Sequence, residues 1–170
     1  MRFEKVSYEA FENELNRNGF SWISEEEKRQ AWENIKIPKR STEFSAGYDI
    51  STSIDFFIMP HSVRVIPTGL KAVFATDEAK SFHLALYVRS SIGIRRNVVL
   101  SHGTGIIDSD YADNPDNEGC ILLPLYNYGE YRREFHAGER IAQGIFEIHG
   151  LTVDDDAKGE RIGGIGSSGK

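Results

Sequence analysis

Seven short apolar blocks run through most of the chain: DISTSIDFFI (49–58), VRVIPTGLKAVF (63–74), FHLALYVR (82–89), NVVLS (97–101), TGIID (104–108), CILLPLYNY (120–128) and RIAQGIFEI (140–148). Gly, Pro, Asn and Asp stand between them, the punctuation of short strands in an all-β barrel or sandwich. No helix long enough to cross over between parallel strands interrupts the series. The first 36 residues follow a different period. Tyr8, Phe11 and Leu15 share one helical face in YEAFENELNRNG, which Asn18 and Gly19 end, and SEEEKRQAWENI opens with Ser24 and Glu27 at capping-box spacing. A short helical hairpin with much solvated charge is expected there, either an appendage packed on the main body or a candidate surface for a protein partner.

At 170 residues the chain is most economically one domain with a substantial core. Its 39% hydrophobic and 27% charged residues are those of a soluble globular protein. The net charge of −6 argues against sequence-independent nucleic-acid binding, which needs Lys and Arg on phosphates, but leaves room for a polyanionic small molecule in a locally basic pocket. Cys120 is the single cysteine, so no intramolecular disulfide can form and a reducing cytoplasm is the expected compartment. MRFEKVSYEAFENEL lacks the apolar stretch of a signal peptide, and no run has membrane-spanning length.

Several stretches carry candidate chemistry. Arg89, Ser90 and Ser91 end a strand with a guanidinium and two hydroxyls, which suits a grip on phosphate oxygens or simply turns a surface loop. Gln143 places an amide in an otherwise apolar strand, where it needs a partner that a ligand could provide. Asp108 follows IleIle and precedes a turn. Asp108 and Asp110 either cap that turn, or Asp108 takes a proton from water while Tyr111 offers a flat wall to a sugar. KGERIGGIGSSGK holds five glycines in thirteen residues, a tail that either frays or wraps a phosphate chain with bare N–H groups, the Ser167 and Ser168 hydroxyls and Arg161. It is not a P-loop, which would need Lys followed by Ser or Thr and a helix.

Taken together and in order, SAGYDI (45–50), VRSSIG (88–93), GTGIIDSDY (103–111), GERIAQ (138–143) and RIGGIGSSG (161–169) resemble the five motifs of the trimeric dUTPases, over about Ile37 to Lys170. The resemblance implies a distorted, jelly-roll-like β-barrel over 37–156, preceded by the largely helical extension 1–36 and followed by a Gly/Ser-rich arm, 157–170, that closes over the active site. It implies hydrolysis of dUTP to dUMP and pyrophosphate. Asp108 would activate the attacking water, and Tyr111 would lie beneath the deoxyribose and exclude a 2′-hydroxyl. Arg89, Ser90, Ser91 and Gln143 would contact phosphates, and Arg161, Gly163, Gly164, Gly166, Ser167 and Ser168 would form the arm over the γ-phosphate. His102, Ile107 and Leu122 would line the uracil side, with Cys120 to Leu122 as the return strand of a hairpin that offers backbone groups to the pyrimidine. Mg²⁺ would be held mostly by phosphates and water, with Asp49 close to it. The resemblance also implies a homotrimer with sites between subunits, no nucleic-acid partner and no membrane.

The sequence departs from that pattern at three places. His102 stands where the family usually has an asparagine that reads uracil, Ile165 where it has a phenylalanine that stacks on the base, and Arg161 is one residue nearer the GlyGly pair. The segment ADNPDNE (112–118) is longer than the family's usual link and is expected to be a surface loop. Two other readings share the fold. A dCTP deaminase would need a glutamate where Pro124 stands and an arginine where Ile94 stands. A nucleotide-binding regulator with weak or lost catalysis would use the N-terminal hairpin as its partner surface.

Overall fold

The computed structural model describes residues 1–159, 161 and 163. Along the chain, β1 (Arg2–Lys5), α1 (Tyr8–Arg17) and α2 (Glu25–Glu33) precede β2 (Lys39–Arg40), β3 (Tyr48–Ser51), β4 (Phe56–Ile58), β5 (Ser62–Pro67), β6 (Leu70–Val73) and β7 (Phe82–Val88). A seven-residue helix, α3 (Ser90–Arg96), leads to β8 (Val98–Leu100), β9 (Gly105–Ile107), β10 (Leu122–Asn127), β11 (Arg133–Phe135) and β12 (Arg140–Ile148). The protein is thus mostly β with few helices. Its strands pair antiparallel throughout the described residues, in the orders β2-β3-β12-β7-β9, β5-β10-β8, β1-β6 and β4-β11.

The strand β12 sits inside the largest sheet because its RIAQGIFEI sequence can be covered on both faces at its start. Ile141, Ala142 and Gly144 are buried, and a Cβ on Gly144 would lie 2.8 Å from Leu84 Cδ1, so the strand needs a bare backbone there. A register shift between Arg140 and Ala142 turns the strand end outward, and Gln143 then stands level with Asp49 on β3 and Tyr87 on β7.

The N-terminal segment follows its local signals and joins the same core. The Ser7 hydroxyl accepts from the Ala10 N–H at 3.1 Å to start α1, and the helix ends at Asn18, followed by Gly19 at φ 82°. Ser24 and Glu27 form the expected reciprocal cap of α2, with the Ser24 N–H donating to the Glu27 carboxylate at 2.9 Å. The buried residues Phe11, Leu15 and Phe20 pack in one cluster with Ile50, Ile66, Leu84, Leu123 and Ile141. Each such side chain contributes roughly 1.5–3 kcal/mol by leaving water. A four-residue strand, β1, was not legible in the extension; it pairs with β6, Arg2 opposite Val73 and Lys5 opposite Leu70, and seats Phe3 against Phe146. The extension therefore also adds an edge to the β structure.

One expectation is corrected. The strands on either side of residues 108–121 do not form a hairpin: β9 pairs with β7, whereas β10 lies between β5 and β8. The long connection between them is what allows the chain to change sheets. No helix among the described residues is long and apolar enough to cross a membrane.

Candidate active site

The sequence-predicted residues gather in two places. The first is a cleft of about 300 Å³ at the C-terminal end of β7, lined by Ser41, Ser45, Gly47, Asp49, Arg89, Ser90, Ser91 and Gln143. Sheet register builds it. Asp49 on β3 and Gln143 on β12 are direct neighbours, and Arg89 stands immediately before α3, where Ser90 and Ser91 form the first turn. Gly47 makes room for the amide, since a Cβ there would lie 2.4 Å from Gln143 Oε1.

Asp49 organises the cationic groups of this cleft. Its Oδ1 forms an ion pair with Arg89 Nε at 2.9 Å; its Oδ2 accepts from an Arg140 guanidinium N–H at 2.9 Å and from the Ser41 hydroxyl at 2.7 Å. Two guanidiniums on one carboxylate leave a net positive rim around hydroxyl and amide donors, a surface suited to an oxyanion. Ser41 and Arg140 were not singled out from the sequence. Arg140 lies inside the GERIAQ stretch, but its contact with Asp49 depends on strand pairing across 91 residues.

The second place lies at the end of β9. Asp108 is exposed, its carbonyl accepts from the Tyr111 N–H at 3.1 Å, and the resulting turn carries Asp110. The Arg161 guanidinium spans both acids, 2.7 Å from Asp108 Oδ2 and 2.8 Å from Asp110 Oδ1, and lies 5.6 Å from the Tyr111 ring centroid. The hydrogen bond to Asp110 is the main cause of the upward shift of the Arg161 pKa, which keeps the group charged. Tyr111 is buried, with its hydroxyl donating to Cys120 O at 3.2 Å; burial raises its pKa, so it stays a neutral phenol. Gly163 is buried, whereas Gly164, Ile165, Gly166, Ser167 and Ser168 lie outside the described residues.

The remaining predicted residues flank this second place. Ile107 ends β9 opposite Leu84, His102 is exposed on the turn before β9 with its ring near Gly105, and Leu122 begins β10 opposite Pro67. Pro124 pairs with Val65 inside β10, so the position bears no acid or base.

The two places sit at opposite ends of β7. Ile107 is opposite Leu84, which puts Asp108 level with His83, while Arg89 follows the far end of the strand. The intervening run of near-extended chain spans roughly 20 Å, beyond the reach of an aspartate and an arginine acting on one phosphate. Within a single chain, the carboxylate and the donor cleft do not meet.

Among the described residues no group of three or more His, Cys, Asp or Glu could hold a metal ion. A metal bound mainly through substrate oxygens and water is compatible with this donor set, since the Asp49 carboxylate is engaged by Arg89 and Arg140 and is left only peripheral reach.

Comparison with known proteins gives this arrangement a lineage. The dUTPase family model matches residues 33–169. The deoxyuridine 5′-triphosphate nucleotidohydrolase of Lactococcus lactis subsp. lactis (strain IL1403) is 43% identical over 138 residues, covering 79% of this chain and 89% of that protein. A crystal structure of dUTPase from Streptococcus mutans matches with TM-score 0.68 at 30% identity, over 91% of this chain and 100% of that one. A dUTPase mutant from phage phi11 of S. aureus, whose structure describes coordination of a structural Mg(II) ion, shares the fold with TM-score 0.61 at 18% identity, over 75% of this chain and 92% of that one. With the family match extending from residue 33 through residue 169, and with relatives at this identity and coverage, the chain belongs to the dUTPase family.

Proposed function

We propose that the protein hydrolyses dUTP to dUMP and pyrophosphate, keeping uracil out of DNA and supplying dUMP, with each active site assembled from more than one copy of the chain. Family membership supports the reaction. The observation that carries the assembly is the separation of Asp108 from the Arg89–Gln143 cleft along β7. A homotrimer is the arrangement that brings one chain's cleft to another chain's Asp108.

In this reading Arg89, Ser90, Ser91 and Gln143 bind the phosphates, and their donors stabilise charge on the pyrophosphate as it leaves. Asp108 orients a water and takes its proton as the water attacks the α-phosphorus. Tyr111 is the floor under the deoxyribose, with Ile107, His102 and the Leu122 backbone toward the base. Mg²⁺, when bound, would neutralise charge on the phosphates, and Asp49 would be the residue of this chain that helps hold it, indirectly. Arg161 leaves the Asp108 and Asp110 pair for the γ-phosphate when the arm, with Gly163, Gly164, Gly166, Ser167 and Ser168, covers substrate and excludes water.

The architecture attached to this reading is one distorted barrel, residues 37–156, whose sheets wrap the shared core. The two helices of residues 1–36 pack on it as a hairpin with a face left for a protein partner, and residues 157–170 form the arm. A reducing cytoplasm suits the buried Cys120, whose thiol is pushed up to about 12 by burial and is therefore inert.

Pyrophosphate release from dUTP, dCTP, dTTP and UTP, assayed in parallel with Mg²⁺, tests the reaction. Release confined to dUTP is expected. Release from several deoxynucleotides would locate a relaxed pocket at His102, and release from none would leave the regulatory reading standing instead.

A further inference from the structure

The segment 112–118, expected to be a surface loop, is organised inward around the Tyr111 side chain. Asn114 and Asn117 are 5% and 6% exposed, unusual for amides in a connection between strands. Asn114 Nδ2 donates to the Tyr111 carbonyl at 2.8 Å and to Asn117 Oδ1 at 2.9 Å, while its Oδ1 accepts from the N–H groups of Asp116 at 3.0 Å and Asn117 at 3.2 Å. Asn117 Oδ1 also accepts from the Gly119 N–H at 3.1 Å, and its Nδ2 donates to the Tyr111 hydroxyl at 3.1 Å and to Cys120 O at 3.4 Å. The hydroxyl thus accepts from Asn117 and donates to Cys120, so the tip of the ring is held from two sides.

The segment is in turn anchored to elements around it. Asp113 and Glu118 adopt φ of 59° and 57°, a costly conformation for residues with side chains. Their side chains are both engaged: Asp113 pairs with Lys71 on β6, and the Glu118 carboxylate accepts from the Ser7 N–H at 2.8 Å and the Ser7 hydroxyl at 2.6 Å, at the start of α1. An Arg17 N–H at the other end of α1 reaches Asp116 O at 3.3 Å. The N-terminal helix, the insert and the Tyr111 ring therefore form one hydrogen-bonded unit.

We propose that Asn117 is a specificity-determining positioning residue, which holds the Tyr111 ring unyielding so that a ribose 2′-hydroxyl is refused, with the 112–118 insert and α1 as its frame. The inference rests on the reading of Tyr111 as the floor beneath the deoxyribose. Rejecting a substrate for one added hydroxyl is hard for an apolar wall, which reaches about a hundredfold at best. A wall that can tilt by a fraction of an ångström makes room and loses most of that. Two hydrogen bonds at the ring tip and one at its backbone oppose such a tilt in a way that packing alone does not.

The test compares kcat/KM for dUTP and UTP, with thermal melts, in the full-length wild type, Asn117→Ala, Asn117→Asp, Tyr111→Phe, Tyr111→Ala and the Asn117→Ala/Tyr111→Phe double variant. Asn117→Asp keeps the Oδ1 acceptor that serves Gly119 and Asn114 while replacing the donor to Tyr111. We expect Asn117→Ala and Tyr111→Phe each to lower the dUTP:UTP ratio about tenfold, and the double variant to fall no further than either one, because both act on one hydroxyl. Equal losses on dUTP and UTP, with the ratio unchanged, would mean a merely structural role and overturn the proposal. Should Asn117→Ala not fold, Asn117→Asp and Tyr111→Phe decide in its place. Other failures separate cleanly. A wild type inert on dUTP overturns the activity, and a Tyr111→Ala variant with an unchanged ratio overturns the sugar floor; the proposal falls with either. A ratio that collapses in Tyr111→Ala but holds in Asn117→Ala and Tyr111→Phe overturns the proposal alone.

Discussion

The cleft beside Gln143 and the acidic turn at Asp108 are built in opposite ways. The cleft is made by strand register: Asp49 and Gln143 are opposite one another on adjacent strands, and Arg89 enters from the end of the next. Its side chains are positioned by backbone ladders that cannot slip without exposing the core on the other face. The acidic turn hangs from a three-residue strand, β9, and takes its shape from side chains: Arg161 across Asp108 and Asp110, Asn114 and Asn117 around Tyr111, Glu118 on Ser7. The difference teaches that a cationic donor cleft can be specified by a sheet, while an acidic turn that hangs from a short strand needs a dedicated network of side chains.

The largest effect should fall on that second part. Asp108→Asn is expected to cut kcat for dUTP by about 10²–10⁴-fold with little change in KM, as loss of a general base does. Steady-state pyrophosphate release measures it, and an unchanged rate would remove Asp108 from the mechanism. Separation of the two parts along β7 gives a sharper test. Arg89→Ala and Asp108→Asn chains, each inactive alone, should recover about a quarter of wild-type turnover when unfolded and refolded together in equal amounts, since a random oligomer pairs an intact cleft with an intact Asp108 that often. No recovery would mean that each chain carries a whole site.

The cleft should respond to a smaller change made at its backbone. Gly47→Ala puts a methyl into the space of the Gln143 amide, the flexible end of a side chain. The amide can swing away, so Tm should move by less than about 4 °C, while KM for dUTP rises roughly tenfold as one phosphate donor is misplaced. A large fall in Tm would show that the contact serves packing.

The smallest effect concerns the frame of the acidic turn. The Ser7 hydroxyl and then the Ser7 N–H, both donating to the carboxylate, lower the Glu118 pKa below its ordinary value. A carboxyl lowered in the folded chain adds stability above its unfolded pKa and loses it as pH falls through the folded one. Tm should therefore drop on the acid side of the ordinary carboxylate range, and Glu118→Gln should flatten a part of that drop. Superimposable Tm–pH curves for wild type and variant would show that this contact carries no pH-dependent stability.

Much of this was legible before the structure. The seven apolar blocks cover β3 through β10 and β12 to within one residue, because alternation and turn residues are local signals, and the Ser24 and Glu27 cap was readable at its spacing. Arg89 and Gln143 were candidates as residue types, Asp49 followed from the resemblance, and the order of the motifs pointed to the family that the chain belongs to. What stayed hidden depends on partners distant in sequence. Four residues at β1 and three at β11 carry too little pattern to announce a strand, and each exists because another strand offers its edge. The expected hairpin after Asp108 was wrong for the same reason: nothing in IleIleAsp or CysIleLeu says which sheet it will join. Two asparagines in a polar insert read as surface until Tyr111 and α1 close around them. The sequence by itself determined the periods, caps and chemical inventory of this protein, since these act within a few residues. Tertiary structure decided the pairing, the burial of Asn117 and the distance between cleft and acid, since those are free-energy choices among contacts that only the folded chain brings together.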